Sequence, residues 1–194
     1  GRRALLPQLK EFSERYPEIE LELGLEDRFV DLIAEQVDVA IRIGHLPDSS
    51  LVARRLGELS WQLAASPDYL ARHGAPKTPQ DLANHACLYY RNRNQNMNTW
   101  RFANGDMAKV QGPLVINDAI ALVEATIQGM GILLIDKALL KDAFALGQLV
   151  PVLEDYPLNP GYPVYAIYPA RDFLPAKTTA FVDFLLEKLS PQLI

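Results

Sequence analysis

The chain has almost no cysteine and no long apolar run, and both absences restrict what it can be. Its 194 residues include one cysteine, Cys87, so no internal disulfide can form. Cys87 lies in the apolar run 86–90, which predicts a buried and unreactive thiol. The apolar runs fall short of the ~20 residues that span a bilayer, and no signal peptide is recognisable. These features favour a soluble, cytoplasmic domain, although a processed periplasmic protein would also lack its signal.

The motifs of common enzymes and metal sites are also missing. The three histidines, His45, His73 and His85, have neither metal-ligand spacing nor a carboxylate partner close in sequence. There is no nucleophile elbow, no Cys-x-x-Cys pair and no phosphate-binding glycine loop. The glycines at 129 and 131 fit a helix end before a strand better than a phosphate site. The sequence therefore predicts no enzyme, no metal site and no cofactor.

Clustered positive charge is absent as well. The formal net charge is −5, and Lys and Arg residues are scattered or paired, as at Arg54 and Arg55. A surface of this sign repels phosphate, so this chain alone is predicted not to bind nucleic acid. An apolar content of 49% and a charged content of 22% are ordinary for a globular protein. The length allows one large domain or two lobes of roughly 100 residues each.

The most informative stretch is residues 31–55. Leu32, Ile33 and Val37 follow Phe29 at helical spacing, which predicts a short helix. Residues 37–43 then alternate and are rich in β-branched side chains, which indicates a strand. A polar loop leads to a second extended segment at 51–56. A helix that feeds a parallel strand ending in a polar loop is typical of the place where α/β sheets bind ligands.

Alternating helices and strands are predicted along the rest of the chain, which indicates an α/β fold. Strict alternation over Ile19–Leu25 predicts an edge strand with one wet face. The asparagine-rich loop 92–98 is either a linker or a recognition loop. The other predicted elements are a helix before Pro17, strands at 59–65, 87–91, 114–117, 131–135, 148–153 and 162–169, short helices after Ser66 and Thr78, a hairpin at 99–110 turned at Asn104-Gly105, and helices at 118–128, 136–146 and 177–189.

Many of these segments resemble the effector-binding domain of LysR-type transcriptional regulators. The resemblance runs from end to end and is carried by DVAIRIG and SSLVARRL near the N-terminus, then SPDYLARHG, PKTPQDLANHACL, WRF, VIND, GMGI and PVYAIYPARDFLPAKTTAFVDFLLEKL. It implies two Rossmann-like lobes joined by two crossover strands, as in type 2 periplasmic binding proteins. Lobe one would comprise residues 1–65 and 169–194 and lobe two residues 66–168, with the crossover strands ending near Ala65 and Tyr168.

The same resemblance implies the function. A small molecule, expected to be anionic, would bind in the cleft between the lobes of a homodimer or homotetramer. DNA would be bound by a winged helix-turn-helix that precedes this domain in the family and is absent from this chain, together with a strand just before Gly1. We therefore expect a fragment of a longer regulator. The alternative is a solute-binding protein of a transport system; an enzyme on this fold would need a catalytic pair that the sequence lacks.

The resemblance suggests helix starts as ligand sites. The helix starts at Ser66, at Asn117 and near Asp27 are expected to point into the cleft, where their N–H groups suit an anion. Ser66 and Asn117 can equally serve as helix caps alone. The sequence also places an acid, Asp136, where the family usually has the proline of a leucine-proline pair. That substitution adds a negative charge near the mouth of the cleft.

Three further side chains are candidates for ligand contact. Tyr90 and Arg91 end a predicted strand and would supply an aromatic wall and a cation, or else form solvated surface. Arg42 is a charged residue in an otherwise apolar strand, so it needs a partner. That partner is either the ligand or Asp38 on the same strand face.

Overall fold

The computed structural model describes residues 2–25, 30–47, 49–93, 95–170 and 173–193. In chain order its helices and strands are α1 (Arg2–Arg15), β1 (Ala40–Ile43), β2 (Leu51–Glu58), β3 (Trp61–Ala65), α2 (Pro67–His73), β4 (Cys87–Tyr90), β5 (Thr99–Arg101), β6 (Met107–Lys109), β7 (Val115–Ile116), α3 (Ala119–Ile127), β8 (Ile132–Asp136), α4 (Lys141–Ala145), β9 (Val150–Pro151), β10 (Pro163–Pro169) and α5 (Ala176–Leu189). Short 3₁₀ helices cover Pro79–Asn84, Lys137–Leu139 and Ser190–Gln192. No helix in the described part of the chain is long and apolar enough to cross a membrane.

The contacts divide the chain into two units. Unit 1 is Gly1–Leu59 with Tyr162–Ile194, and unit 2 is Ser60–Gly161. Both boundaries lie earlier in the chain than those expected at Ala65 and Tyr168. The reason is hydrogen bonding, because β3 pairs only within the sheet of unit 2 and β10 only within that of unit 1.

Unit 1 is built on a three-stranded sheet in the order β1-β10-β2. Both pairs are antiparallel, with Ala40 opposite Ile167 in one and Val52 opposite Tyr168 in the other. Helices α1 and α5 pack together through Phe12, whose ring lies 5.1 Å from the rings of both Phe181 and Phe184. A core cluster of unit 1 is formed by six buried side chains, Leu5, Leu56, Val164, Ala166, Leu185 and Leu189.

Three predictions in unit 1 are wrong. Residues 19–25 form no strand, because an extended segment needs a neighbour for its backbone groups and no described residue pairs with it. The helix expected from Asp31 to Val37 is a turn, closed by bonds from Glu35 N–H to Asp31 C=O (2.9 Å) and from Val37 N–H to Leu32 C=O (2.9 Å). The following strand begins only at Ala40, and its described partner β10 is antiparallel, not parallel.

Unit 2 contains a five-stranded sheet in the order β7-β4-β8-β3-β9. Strand β4 is parallel to both β7 and β8, whereas β3 is antiparallel to β8 and β9. Apolar side chains cover both faces of this sheet. Leu63, Cys87 and Ile132 belong to the core on one face, and Leu88 and Leu133 to the core on the other. The central strands are therefore buried on both sides, as their continuous apolar sequences predict.

The predicted helix starts, helix ends and turns of unit 2 are largely confirmed. Helix α2 starts at Pro67 after the cap Ser66 and ends at Gly74, whose φ of 78° is a left-handed conformation that favours glycine. Gly105 (φ 92°) turns the β5–β6 hairpin as expected. The helix predicted over 136–146 is wrong in extent, since a 3₁₀ turn at Lys137–Leu139 precedes the short helix α4.

Candidate functional site

The carboxyl ends of β4 and β7 lie side by side in unit 2. These strands are parallel, with Tyr90 opposite Ile116, and the Arg91 N–H donates to the Ile116 carbonyl at 3.1 Å. Arg91 and Asn117 are the next residues of the two strands, and both are exposed. The structure thus brings together three of the predicted site residues, Tyr90, Arg91 and Asn117. We call this edge of the sheet the carboxyl edge, and we include in it Asp136, the last residue of the neighbouring strand β8.

The loop after β4 folds back onto the strand. Asn92 donates its side-chain amide to the Tyr90 hydroxyl at 3.0 Å, and its side-chain oxygen accepts from the Gln95 N–H at 2.8 Å. The Met97 N–H donates to the Tyr90 carbonyl at 3.0 Å. Tyr90 is half-buried and packs against the core that contains Leu88. These bonds favour an ordered loop at the carboxyl edge over a linker.

The cap of helix α3 is Asp118, so the expectation that Asn117 caps this helix is wrong. One carboxylate oxygen of Asp118 accepts from the N–H groups of Ile120 (2.8 Å) and Ala121 (3.0 Å). An ionised carboxylate therefore already satisfies these donors of the first turn. Asn117 precedes the cap and keeps its side chain in solvent. The carboxyl edge combines positive and negative groups and is not a simple anion site.

Ser66 does not lie at the carboxyl edge. One row across β3, β8 and β4 contains Ala64, Leu133 and Leu88. Ser66 lies two residues beyond this row, toward the amino end of β8. Tyr90 follows this row in the opposite direction. The two residues are therefore separated by about 13 Å along the strands alone. Ser66 is buried, and its hydroxyl accepts the Tyr69 N–H at 3.2 Å, which is the bond of a helix cap.

The sequence marks Asp136 as an acid near the mouth of the cleft but does not predict it as a ligand contact. It ends β8, opposite Trp61 at the start of β3, and is half-buried. One of its carboxylate oxygens accepts the Ser60 N–H at 3.2 Å. Burial raises the pKa of this carboxyl, against the opposing effect of the backbone hydrogen bonds from Ser60 and Ala138. Its position in the sequence could have identified it, because it directly follows the apolar run 132–135, just as Arg91 and Asn117 follow their strands.

The remaining predicted site residues belong to unit 1. Arg42 lies on β1, and its guanidinium donates to the Val30 carbonyl at 3.4 Å. Burial lowers the pKa of Arg42. Asp38 forms an ion pair with Lys177 at 2.6 Å, so the structure gives it a partner other than the one expected. Asp27 lies outside the described residues. Unit 1 also has an open depression of about 400 Å³, which is lined by Val30, Asp31, Leu32, Ile33, Ser50 and Leu51.

The histidines and the cysteine have local structural contacts. His85 Nδ1 lies 3.1 Å from the Tyr69 hydroxyl, and His73 Nδ1 lies 3.0 Å from the Tyr69 carbonyl. Cys87 is fully buried, and burial raises the pKa of its thiol to about 12, so the thiol stays protonated. Among the described residues, no group of three or more His, Cys, Asp or Glu side chains is arranged to hold a metal ion.

Comparison with known proteins identifies the family. Residues 1–190 match the model of the LysR substrate binding domain. The chain is 34% identical over 191 residues to the HTH-type transcriptional regulator CrgA of Neisseria meningitidis serogroup B, covering 97% of this chain and 64% of CrgA. It is 37% identical over 190 residues to the HTH-type transcriptional regulator DmlR of Escherichia coli K12, covering 95% of this chain and 61% of DmlR. The chain thus spans about three fifths of the length of these relatives.

Solved structures agree with the sequence comparison. The regulatory domain of CrgA from Neisseria meningitidis superimposes with a TM-score of 0.87 at 33% identity, covering 96% of this chain and 92% of that domain. Full-length AphB, the virulence activator of Vibrio cholerae, superimposes with a TM-score of 0.82 at 31% identity, covering 96% of this chain and 64% of AphB. These relatives are transcriptional regulators and not enzymes. The chain belongs to the LysR-type transcriptional regulators, as their substrate-binding regulatory domain with the type 2 periplasmic-binding-protein-like fold.

Proposed function

We propose that this domain senses a small carboxylate effector at the carboxyl edge of unit 2 and thereby controls DNA binding by an N-terminal winged helix-turn-helix of the same regulator. One observation carries the proposal: Arg91 and Asn117 lie side by side where two parallel strands end, directly after Tyr90 and Ile116. In open α/β sheets, ligands bind outside the carboxyl ends of the strands.

The exposed groups at this edge determine the expected ligand chemistry. Arg91 offers a guanidinium that can bind a carboxylate through two hydrogen bonds. Asn117 offers an amide that both donates and accepts. The Tyr90 ring, whose hydroxyl is held by the Asn92 bond, packs against the core on the opposite face of the sheet, so Tyr90 stays a predicted ligand contact. Ser66 is not part of this site, since its hydroxyl is used as a helix cap at the other end of the sheet. Arg42 and Asp27 in unit 1 stay predicted ligand contacts.

The proposed regulator acts as a homodimer or homotetramer in the cytoplasm. Leucines 6, 23 and 25 of unit 1 are 40–45% exposed, and such apolar surface suits contact with a second copy of the chain. DNA binding is assigned to the N-terminal domain because this chain has a net charge of −5. A gel shift at physiological salt should give no retarded band with this chain alone.

The direct test screens small carboxylates by thermal shift and confirms each binder by calorimetry. Replacing Arg91 by alanine should weaken binding about 10- to 100-fold, because a hydrogen bond to a charged group contributes roughly 1.5–3 kcal/mol. Asn117→Ala should weaken it less. The matched control is Lys109→Ala, which removes an exposed cation from strand β6 of the same unit. If a confirmed carboxylate binds all three variants as tightly as the parent, the site lies elsewhere.

A further inference from the structure

Asp136 occupies a position in the carboxyl edge that a purely anion-binding site would not contain. It lies at the end of β8, the neighbour of β4 in the sheet. Its side chain is half-buried, and one oxygen is bound by the Ser60 N–H at 3.2 Å. The backbone N–H of Ala138 also hydrogen-bonds to this carboxylate. A carboxylate has two oxygens with about four lone-pair sites, so two bonds still leave acceptor capacity.

The register of the parallel strands brings Asp136 beside Arg91. Cys87 of β4 lies opposite Ile132 of β8, and Arg91 and Asp136 each follow their strand partner by the same number of residues. Neighbouring strands are about 4.8 Å apart. Cys87 and Ile132 also share one core, and side chains alternate along a strand, so Arg91 and Asp136 continue the same face of the sheet.

These two opposite charges are not paired with each other. No ion pair joins Arg91 to Asp136, although acid-base pairs elsewhere in the described chain close to 2.6 Å, as between Arg55 and Glu58. Two unlike charges on adjacent strands can instead be bridged by one ligand with a charge of each sign.

We propose that Asp136 is a specificity-determining residue of this site and binds the ammonium group of a short zwitterion, such as an α-amino acid, whose carboxylate is bound by Arg91. The inference rests on the proposed function and narrows its ligand class. It also accounts for the mixed charge of the edge, where Asp118 caps α3. Burial disfavours the ionised form of Asp136 in the free protein, and a bound ammonium group would offset that cost.

The test compares α-amino acids with the carboxylates that lack only the amino group. Suitable pairs are leucine with isocaproate, phenylalanine with hydrocinnamate and glutamate with glutarate, within a panel of all twenty amino acids and their deaminated analogues. Each compound is titrated by calorimetry into the parent, into Asp136→Asn and into Asp155→Asn. Asparagine keeps one oxygen that can accept a backbone N–H such as that of Ser60, and a thermal melt of the variant checks that the fold is retained. Asp155→Asn is the matched control, because it makes the same charge change at an exposed residue of unit 2.

The expected result is an amino acid that the parent binds roughly 10- to 100-fold more tightly than its deaminated analogue. Asp136→Asn should abolish most of that preference and leave carboxylate binding in place, whereas Asp155→Asn should keep it. Binding of deaminated carboxylates as tight as that of amino acids, or a preference that survives in Asp136→Asn, overturns this inference and leaves the proposed function intact. Absence of binding by every carboxylate of both panels overturns the proposed function and this inference together.

Discussion

The two units of the chain differ in how completely their sheets are bonded. The main sheet of unit 2 has five strands with apolar cores on both faces, whereas the sheet of unit 1 has three strands and one core cluster among the described residues. Unit 1 also contains the alternating segment 19–25, which has no described strand partner and leaves Leu23 and Leu25 exposed. Alternation therefore marks the capacity of a segment to form a strand, but the strand forms only where a neighbouring segment can bond to it.

The largest effect is expected from weakening the helix pair that supports unit 1. Phe12 is fully buried and contacts Phe181 and Phe184 of α5. Because the sheet of unit 1 is small, this aromatic contact should account for much of its stability. Phe12→Ala should lower the free energy of unfolding by about 3–5 kcal/mol, measured by urea denaturation. Phe173→Ala is the control, since Phe173 is 90% exposed and should change stability by less than about 0.5 kcal/mol. Equal losses in the two variants would contradict the role of Phe12.

The second test removes a side chain from the central strand of unit 2. Leu133 is fully buried within the core that also contains Leu88 and Leu122. Leu133→Ala should cost about 2–5 kcal/mol through lost burial and the remaining cavity. Hydrogen exchange should then quicken in β3, β4 and β8. Leu146→Ala, at a site 71% exposed, is the matched control and should leave the exchange pattern unchanged. If β1 and β10 lose protection as much as the strands of unit 2, the two units do not unfold as separate bodies.

The same contrast explains which elements the sequence could predict. In unit 2 the start signals at Ser66 and Thr78, the turn at Asn104-Gly105 and the buried strand after Gly131 act locally, and each formed as predicted. In unit 1 the strand at 19–25 depended on a partner that alternation cannot supply. The helix expected from Asp31 is limited to one turn because the chain reverses at Gln36 (φ 56°), although the Asp31 carboxylate accepts the Ile33 N–H as a helix cap does.

The candidate site was predictable only in part, for a similar reason. Tyr90, Arg91 and Asn117 could be found because each ends or follows an apolar strand. The sequence predicts Ser66 as part of the same site because it starts a helix. Its separation from Arg91 follows from the antiparallel direction of β3, which no local pattern encodes. Asp118 and Asn117 are adjacent in sequence and both are good caps, so the choice between them needed the backbone geometry.

A smaller effect should separate folding from binding at Ser66. Ser66→Ala removes the bond to the Tyr69 N–H at the start of α2 and should cost about 0.5–2 kcal/mol in urea denaturation. Affinity for a confirmed carboxylate should be unchanged, because Ser66 lies at the end of the sheet away from Arg91. Ser66→Thr keeps a capping hydroxyl and serves as the control. If Ser66→Ala binds the ligand more weakly than the parent at a temperature where the variant is fully folded, Ser66 does contribute to the ligand site.

The smallest effect concerns pH and the histidine beside α2. The Tyr69 hydroxyl accepts the Ala86 N–H at 3.0 Å, which leaves its own proton to donate to His85 Nδ1, 3.1 Å away. That bond requires an unprotonated Nδ1. Burial, and secondarily the nearby His73, lower the pKa of His85, while Asp81 opposes them. The unfolded chain therefore binds more protons than the folded chain as pH falls below the unfolded value of about 6.5.

It follows that the free energy of unfolding should decrease as pH drops below about 6.5 and level off once His85 is protonated in the folded state as well. The measurement is urea denaturation at closely spaced pH values from neutral to mildly acidic conditions. His85→Gln retains an acceptor for Tyr69 and cannot titrate, so the difference between parent and variant isolates this residue from the acidic groups. His45→Gln removes a histidine from unit 1 and should keep the parent profile. A parent and a His85→Gln variant that lose stability in parallel would show that protonation of His85 does not oppose folding.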